Sequence, residues 1–252
     1  MQHSQTVNSK SRDLDTWVQR LWVSNQERDL DLLYKAIEPL VARNEQEHLQ
    51  PCSLDVAENL RLMEAEQLTL LAALLSDPLY AEPLKQGEIE REYGSQVSRV
   101  CSGMWSLHSF REHTIAAADP TQKEQAELVR NMVLAMVGDI RAVLIKLAWQ
   151  LQYLRLLARE ELGPEHTRAA NLTMLLFAPL ANRLGISQIK WELEDLSFRF
   201  LEPQQYKSIA KSLANTRLQR ENYIEDFIQA IRSMLNEADI NSSIYGRPKH
   251  IY

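Results

Sequence analysis

Apolar residues recur every three or four positions along much of this chain, which is the spacing of one face of an α-helix. Between Leu14 and Arg43 the recurring residues are Trp17, Leu21, Leu33, Ile37 and Leu40. Only 7 Gly and 9 Pro occur in the 252 residues, where average usage would give about 18 and 13, and strong helix formers dominate instead. The chain is therefore predicted to be all-α, with 45% apolar residues from which to build a core.

The composition also disfavours several classes of function. A net charge of −6 argues against non-specific binding to nucleic-acid phosphates. Cys52 and Cys101 are too few for a disulfide framework, so a reducing cytoplasm is the expected setting, and the pair His48 and Cys52 lacks the second pair that a zinc site needs. The polar amino terminus has no signal-peptide core. Charged residues interrupt the apolar stretch from Met132 to Leu157, which favours buried helices over a membrane span.

Breaks in the apolar pattern indicate where the helices lie. The predicted helices cover residues 14–43, 56–75, 88–104, 121–138, 140–161, 165–183, 187–201 and 204–237. Thr121 and Glu124 form a capping-box pattern. Asp139 is expected to cap the helix that follows it, while Gly163 is expected to end that helix and Pro164 to begin the next one.

The two ends of the chain differ from its middle. Residues 1–12 are predicted to form a mobile tail. The final stretch, INSSIYGRPKHIY (240–252), has β-branched and aromatic residues without a helical stripe, so a short β element is expected to start there. Because this element stops at Tyr252, the chain is expected to be a piece of a longer protein.

The run LLAALLSDPLY, from Leu70 to Tyr80, raises the first question of function. It predicts an apolar helix followed by Ser-Asp-Pro. With His at position 76 it would read as the His-Asp pair of a metal-dependent phosphohydrolase. The structural alternative is that Ser76 or Asp77 caps a helix that has Pro78 as its first residue.

Three further segments are distinctive: VRNMVLAMVGDIRAVLIKLAWQLQYLR (129–155), APLANRLGISQIKWELEDLSFRFLEPQQYKSIAK (178–211) and YGRPKHIY (245–252). They closely resemble the RelA/SpoT family of alarmone enzymes, and in particular its RelA-type branch, which is associated with ribosomes and amino-acid starvation. The resemblance implies an all-helical HD-type hydrolase domain, followed by a synthetase domain that moves pyrophosphate from ATP to GTP or GDP.

The resemblance also implies a metal site that this chain has mostly lost. The family's hydrolase holds an Mn²⁺-type metal through an early His, a His-Asp pair and a later Asp in a KLADRxHNMR-like run. The matching positions here are Cys52, Ser76, Asp77 and Trp149, so only Asp77 keeps a normal ligand. A gap in the alignment would place Asp55 near the first position instead.

The residues that would serve the attacking water are also changed. Active members of the family have a Glu-Asp pair where this chain has Tyr80 and Ala81. Without that pair and without a metal-bound hydroxide, hydrolysis of the 3′-pyrophosphate has no mechanism, so residues 13–186 are predicted to form a degenerate, catalytically inactive HD-type domain with no metal. Trp149 is expected to fill the core volume of the missing ion, or else to belong to a docking surface.

The resemblance assigns the end of the chain to the synthetase. In the family, the Arg and Lys of the YGRPKHIY run contact the ATP donor, and they match Arg247 and Lys249. A guanidinium binds phosphate oxygens in bidentate fashion, and an ammonium adds charge. Residues 238–252 are thus expected to begin a synthetase that uses Mg²⁺, and residues 187–237 to form a helical segment that couples the two domains.

The leading hypothesis is a regulatory domain of a GTP diphosphokinase of the stringent response. It would restrain its own synthetase domain until the full protein engages a ribosome and uncharged tRNA, with no membrane involved. Alternatives are a front end with no separate role, a residual hydrolase that uses Asp77, and a domain that binds the alarmone without hydrolysing it, through Arg130, Lys146 and Arg155.

Overall fold

The computed structural model describes residue 18 and residues 27–43, 51–78, 83–114, 138–238, 240 and 242–244. These residues form ten α-helices and one π-helix: α1 (Glu27–Arg43), α2 (Ser53–Leu62), α3 (Gln67–Leu75), α4 (Pro83–Tyr93), α5 (Ser95–Thr114), α6 (Ile140–Leu157), α7 (Pro164–Leu172), the π-helix (Thr173–Phe177), α8 (Ala178–Arg183), α9 (Ser187–Leu201) and α10 (Pro203–Glu237). No strand occurs among them, in agreement with the predicted all-α fold. The predicted tail and most of the predicted 121–138 helix and β element lie outside the described residues.

Helix α6 is the centre of the fold. It contacts α2, α3, α5, α7 and α9, and its side chains are buried around the whole circumference from Ala142 to Trp149. One buried cluster joins its residues Ile145 and Trp149 to helices α1 to α5, while another joins Leu147 to helices α7 to α9. A helix that is apolar on nearly every side must be surrounded by others, which explains why α6 separates two halves of one core.

The start of α6 is fixed by the residue that the sequence predicts. Asp139 has extended backbone angles, and its Oδ1 accepts a hydrogen bond from the Arg141 backbone N–H at 3.0 Å. The Arg141 side chain donates to both carboxylate oxygens of Asp139, and its Nη1 donates to Glu66 Oε1 at 2.7 Å. Because Glu66 immediately precedes α3, this cap also ties the beginnings of α3 and α6 together.

The end of α6 differs from the prediction. The helix stops at Leu157, and Gly163 does not end it but precedes α7 with an extended φ of −148°. The Gly163 N–H donates to His166 Nδ1 at 3.1 Å, so Nε2 carries the ring proton and donates to the Leu157 carbonyl at 2.8 Å. One buried imidazole therefore satisfies backbone groups at the end of one helix and the start of the next.

Two predicted helices are each divided in two. The 56–75 prediction corresponds to α2 and α3, which are separated at Glu64 with φ of 58°. The 88–104 prediction corresponds to parts of α4 and α5, separated at Gly94 with φ of 90°. Glycine enters this left-handed region without the steric cost that a Cβ imposes, so Gly94 breaks what reads as a continuous helical pattern.

The π-helix widens one turn between α7 and α8. The Ala178 N–H donates to the Thr173 carbonyl, five residues back, and the next residue, Pro179, has no N–H to donate. Thr173 Oγ1 donates to the Ala169 carbonyl at 2.7 Å and accepts from Gln150 Nε2 at 2.8 Å. The wide turn is thus bonded to the central helix.

The last two helices confirm the predictions for 187–201 and 204–237. The Tyr206 hydroxyl donates to Asp195 Oδ2 at 3.0 Å, which fastens the start of α10 to α9. Helix α10 has 35 residues and α9 has 15, so α10 extends well beyond its neighbour. On that extension Tyr223, Phe227 and Met234 are each more than half exposed.

Within the part of the chain that the structure describes, no helix is both long and apolar enough to cross a membrane.

The Asp139 cap predicts a pH-dependent contribution to stability. The hydrogen bonds from Arg141 lower the pKa of the Asp139 carboxyl below its ordinary value of 3.8. A carboxyl whose pKa is lower in the folded state than in the unfolded state stabilises the fold at pH values above the unfolded-state pKa. This contribution is lost as the pH falls through the folded-state pKa. Asp139→Asn should therefore lower the free energy of unfolding by about 0.5–1 kcal/mol at pH 7, with a smaller loss near pH 3.5.

Urea unfolding at the two pH values measures this difference. Glu160→Gln, at an exposed position, is the matched control and should leave the unfolding free energy unchanged. A loss for Asp139→Asn that grows as the pH falls would contradict the assignment.

Candidate functional site

Ser76 lies at the carboxyl end of α3 and bonds to its own helix. It is the C-cap residue, and both its backbone N–H and its Oγ donate to the Ala72 carbonyl. The hydroxyl is therefore engaged inside the helix that it ends. The backbone that follows Pro78 lies outside the described residues, so a helix start there stays a prediction.

Asp77 is buried and bonded to the start of another helix. It is 4% exposed, and its Oδ2 accepts a hydrogen bond from Ser53 Oγ at 2.8 Å. Ser53 is the first residue of α2 and follows Cys52, which packs against the first buried cluster. The structure thus brings the predicted positions 52 and 77 to one place, where Ser53, which the sequence did not single out, is the direct partner of the carboxylate.

Two residues of α5 contact backbone carbonyls at the end of α3. Trp105 Nε1 donates to the Ser76 carbonyl at 3.1 Å, and Cys101 Sγ lies 3.6 Å from the Ala72 carbonyl. Their spacing of four residues places them on one face of the helix, but nothing in the sequence relates that face to Ser76. Burial raises the pKa of the Cys101 thiol to about 12.

Trp149 lies on α6 and is buried. Its side chain is 4% exposed and belongs to the same buried cluster as Trp105 and Cys101, so the prediction of a core position is confirmed. The indole packs edge-on against the His108 ring, with centroids 5.3 Å apart and an interplanar angle of 87°. Its Nε1 has no hydrogen-bond acceptor among the described residues.

The side chains at this site do not fit a divalent metal. An indole offers an N–H donor and no lone pair, the Ser76 hydroxyl is bonded to backbone, and Asp77 accepts from Ser53. A hard cation needs several oxygen or nitrogen ligands to replace its water. Within the described ranges no group of three His, Cys, Asp or Glu residues could hold an ion.

Asp55, the alternative early ligand, belongs to a separate polar cluster. Its Oδ2 accepts from Gln152 Nε2 at 3.4 Å, and Gln152 Oε1 accepts from Asn59 Nδ2 at 3.3 Å. Arg155 Nη1 donates to Asn59 Oδ1 at 2.5 Å, and its Nε and Nη2 donate to the two oxygens of Glu192 at 2.6 and 2.7 Å. This cluster joins α2, α6 and α9 beside the candidate site.

Two of the three basic residues predicted for alarmone binding are bonded to other side chains of the described structure. Lys146 is 4% exposed, and its Nζ lies 3.1 Å from His108 Nδ1. Arg155 forms the bidentate ion pair with Glu192. Arg130 lies outside the described residues.

Several other predicted positions also lie outside the described residues. These are the water-activating positions Tyr80 and Ala81, the zinc candidate His48, and the nucleotide-binding candidates Arg247 and Lys249. Their assignments stay predictions.

Residues 30–187 match the family model described as HD domain. The chain is also 39% identical over 199 residues to the GTP pyrophosphokinase of Escherichia coli K12, which covers 79% of this chain and 27% of that protein. The GTP pyrophosphokinase of Myxococcus xanthus is 38% identical over 201 residues, with coverage of 79% and 26%. The probable guanosine-3′,5′-bis(diphosphate) 3′-pyrophosphohydrolase of Synechocystis is 37% identical over 199 residues, with coverage of 78% and 25%. The chain thus spans about a quarter of the length of these relatives.

The packing around Cys101 predicts unequal reactivity of the two cysteines. Cys101 is fully buried with a raised pKa, whereas Cys52 is partly exposed. Because the thiolate is the reactive form, iodoacetamide at pH 8 should label Cys52 and leave Cys101 unmodified. Mass spectrometry of peptides from native and urea-unfolded protein measures the two rates.

Cys52→Ser provides the control. Iodoacetamide should not modify this variant in its native state, and should modify it once, at Cys101, when it is unfolded in urea. Labelling of Cys101 in the native protein at the rate of Cys52 would contradict the closed site.

Proposed function

This chain belongs to the HD domain family and is homologous to GTP pyrophosphokinases of the RelA/SpoT type, and we propose that it is the catalytically inactive, hydrolase-like regulatory domain of such an enzyme. The observation that carries the proposal is the burial of the Trp149 indole where the family's later metal ligand would stand. In the family, that ligand helps to hold the ion that activates water.

The chemistry of hydrolysis requires an activated water and a group that moves its proton. A metal lowers the pKa of its bound water and supplies the nucleophile at neutral pH, while a carboxylate or imidazole moves the proton. Asp77, the one carboxylate at the four predicted metal positions, accepts from Ser53, while the Ser76 hydroxyl and the Trp105 indole N–H donate to backbone carbonyls. The site therefore supports packing and not water activation.

A domain without chemistry can still regulate a neighbour. The interface between two packed domains can have two states that differ in free energy. A domain that favours one of these states changes the activity of the neighbouring domain. Helices α9 and α10 lead from the HD-type core toward residues 238–252, so they are the physical route to a synthetase that begins there. The parent would be a cytoplasmic GTP pyrophosphokinase of the stringent response that uses Mg²⁺, with ribosome and uncharged tRNA as its partners.

Removal of the domain tests the regulatory part of this proposal. Deletion of residues 1–185 from the full-length protein should raise basal alarmone synthesis by about fivefold or more, because typical coupling free energies correspond to at least that factor. Synthesis of ppGpp from ATP and GDP is measured with and without stalled ribosomes, alongside a full-length Glu160→Gln control. Unchanged basal and ribosome-stimulated rates would contradict the proposal and favour a front end with no separate role.

A second experiment addresses the missing hydrolase. The 252-residue chain should release no pyrophosphate from ppGpp in the presence of Mn²⁺, and Trp149→Asp should not restore release, since position 76 still lacks an imidazole. The variant should also lose about 3–5 kcal/mol of unfolding free energy, by analogy with the truncation of other buried aromatic residues. Mn²⁺-dependent release by the unchanged chain would contradict catalytic inactivity.

A further inference from the structure

Arg155 of α6 donates hydrogen bonds to side chains on two other helices. On one side its Nη1 donates to Asn59 of α2 at 2.5 Å, and on the other its Nε and Nη2 donate to Glu192 of α9 at 2.6 and 2.7 Å. The guanidinium is planar and rigid, so the direction of one set of bonds fixes the direction of the other.

The link continues deeper into the core. Asn59 is 7% exposed and Gln152 is 4% exposed. The Asn59 amide donates to Gln152, and the Gln152 amide donates to Asp55 of α2. Buried polar groups are costly when they lack partners, so each member of this chain of bonds restricts where its neighbours can lie.

The position of α2 is in turn tied to the candidate site. Its first residue, Ser53, donates to Asp77, and the preceding Cys52 packs against the same buried cluster as Trp149. A shift of α2 would therefore accompany any rearrangement at Asp77. At the other end of the link, α9 continues through Glu202 into α10, which is fastened to it by Tyr206 and Asp195.

We infer that Arg155 is a coupling residue that transmits the position of α2, and so the state of the degenerate site, to the linking helices α9 and α10. The inference rests on the proposed function for its regulatory meaning. When α2 moves relative to α6, the guanidinium either follows Asn59 and loses its bidentate geometry on Glu192, or stays with Glu192 and leaves Asn59 with an unmatched buried oxygen. Each result changes the free energy of the other contact, which is the definition of coupling.

Hydrogen exchange of the 252-residue chain tests the link directly. Asn59→Ala should raise amide exchange in α9 about fivefold or more, although the substitution lies on α2. In a Glu192→Gln background the same substitution should add nothing further in α9, because the connection is already broken. Arg155→Lys keeps the charge but loses the planar guanidinium, so its exchange in α9 should match that of the variant carrying both Asn59→Ala and Glu192→Gln. It replaces Asn59→Ala as the test if Asn59→Ala does not fold.

Two matched controls separate the link from general loss of charge or packing. Glu58→Gln removes a partner of Arg61 within α2, and Glu194→Gln removes a partner of Lys190 within α9. Glu58→Gln should leave exchange in α9 unchanged, and Glu194→Gln should leave exchange in α2 unchanged. A rise for Asn59→Ala that stays within α2, or additive effects of Asn59→Ala and Glu192→Gln in α9, would overturn the inference.

Alarmone synthesis by the full-length protein then distinguishes the inference from the function on which it rests. If exchange in α9 responds but neither Asn59→Ala nor deletion of residues 1–185 alters synthesis, the coupling stands and the proposed function fails. If the deletion alters synthesis while exchange stays confined to α2, the proposed function stands and the coupling through Arg155 fails.

Discussion

The fold depends on the burial of α6 from all sides. Because no face of this helix meets solvent along most of its length, its polar side chains need partners inside the protein. Lys146 lies against His108 of α5, Gln150 donates to Thr173 of the π-helix, and Gln152 bonds to α2. Each of these contacts fixes a different neighbour, so the apolar surface of α6 supplies the packing while its few polar groups set the relative positions of the helices.

The candidate site is best understood as part of this packing. Ser53 of α2 donates to the Asp77 side chain, Trp105 of α5 donates to the Ser76 carbonyl at the end of α3, and Trp149 of α6 packs against the His108 ring of α5. A metal centre would need the same space filled with ligands that point at one ion. Here Trp105 and Trp149 lie in one buried cluster with apolar residues of α2 and α3, so burial holds the four helices together.

The sequence predicts those features that depend on local periodicity and chemistry. The all-α class, the Asp139 cap and the helices over 187–201 and 204–237 follow from residues close together in the chain. The breaks at Glu64 and Gly94 and the end of α6 at Leu157 were missed, because each depends on one backbone angle or on a distant partner such as His166. The sequence does not predict the contacts of Asp77 with Ser53 and of Arg155 with Asn59 either, since each joins residues from separate helices.

The buried indole of Trp149 also bears on how such a domain can change over evolutionary time. A single substitution of Trp149 by aspartate would remove a large side chain from the core, at a cost of about 3–5 kcal/mol, when a whole domain is typically stable by only about 5–15 kcal/mol. It would gain no ion in return, because Ser76 and Cys52 would still have to change. The substitution alone would therefore lower stability without completing an ion site.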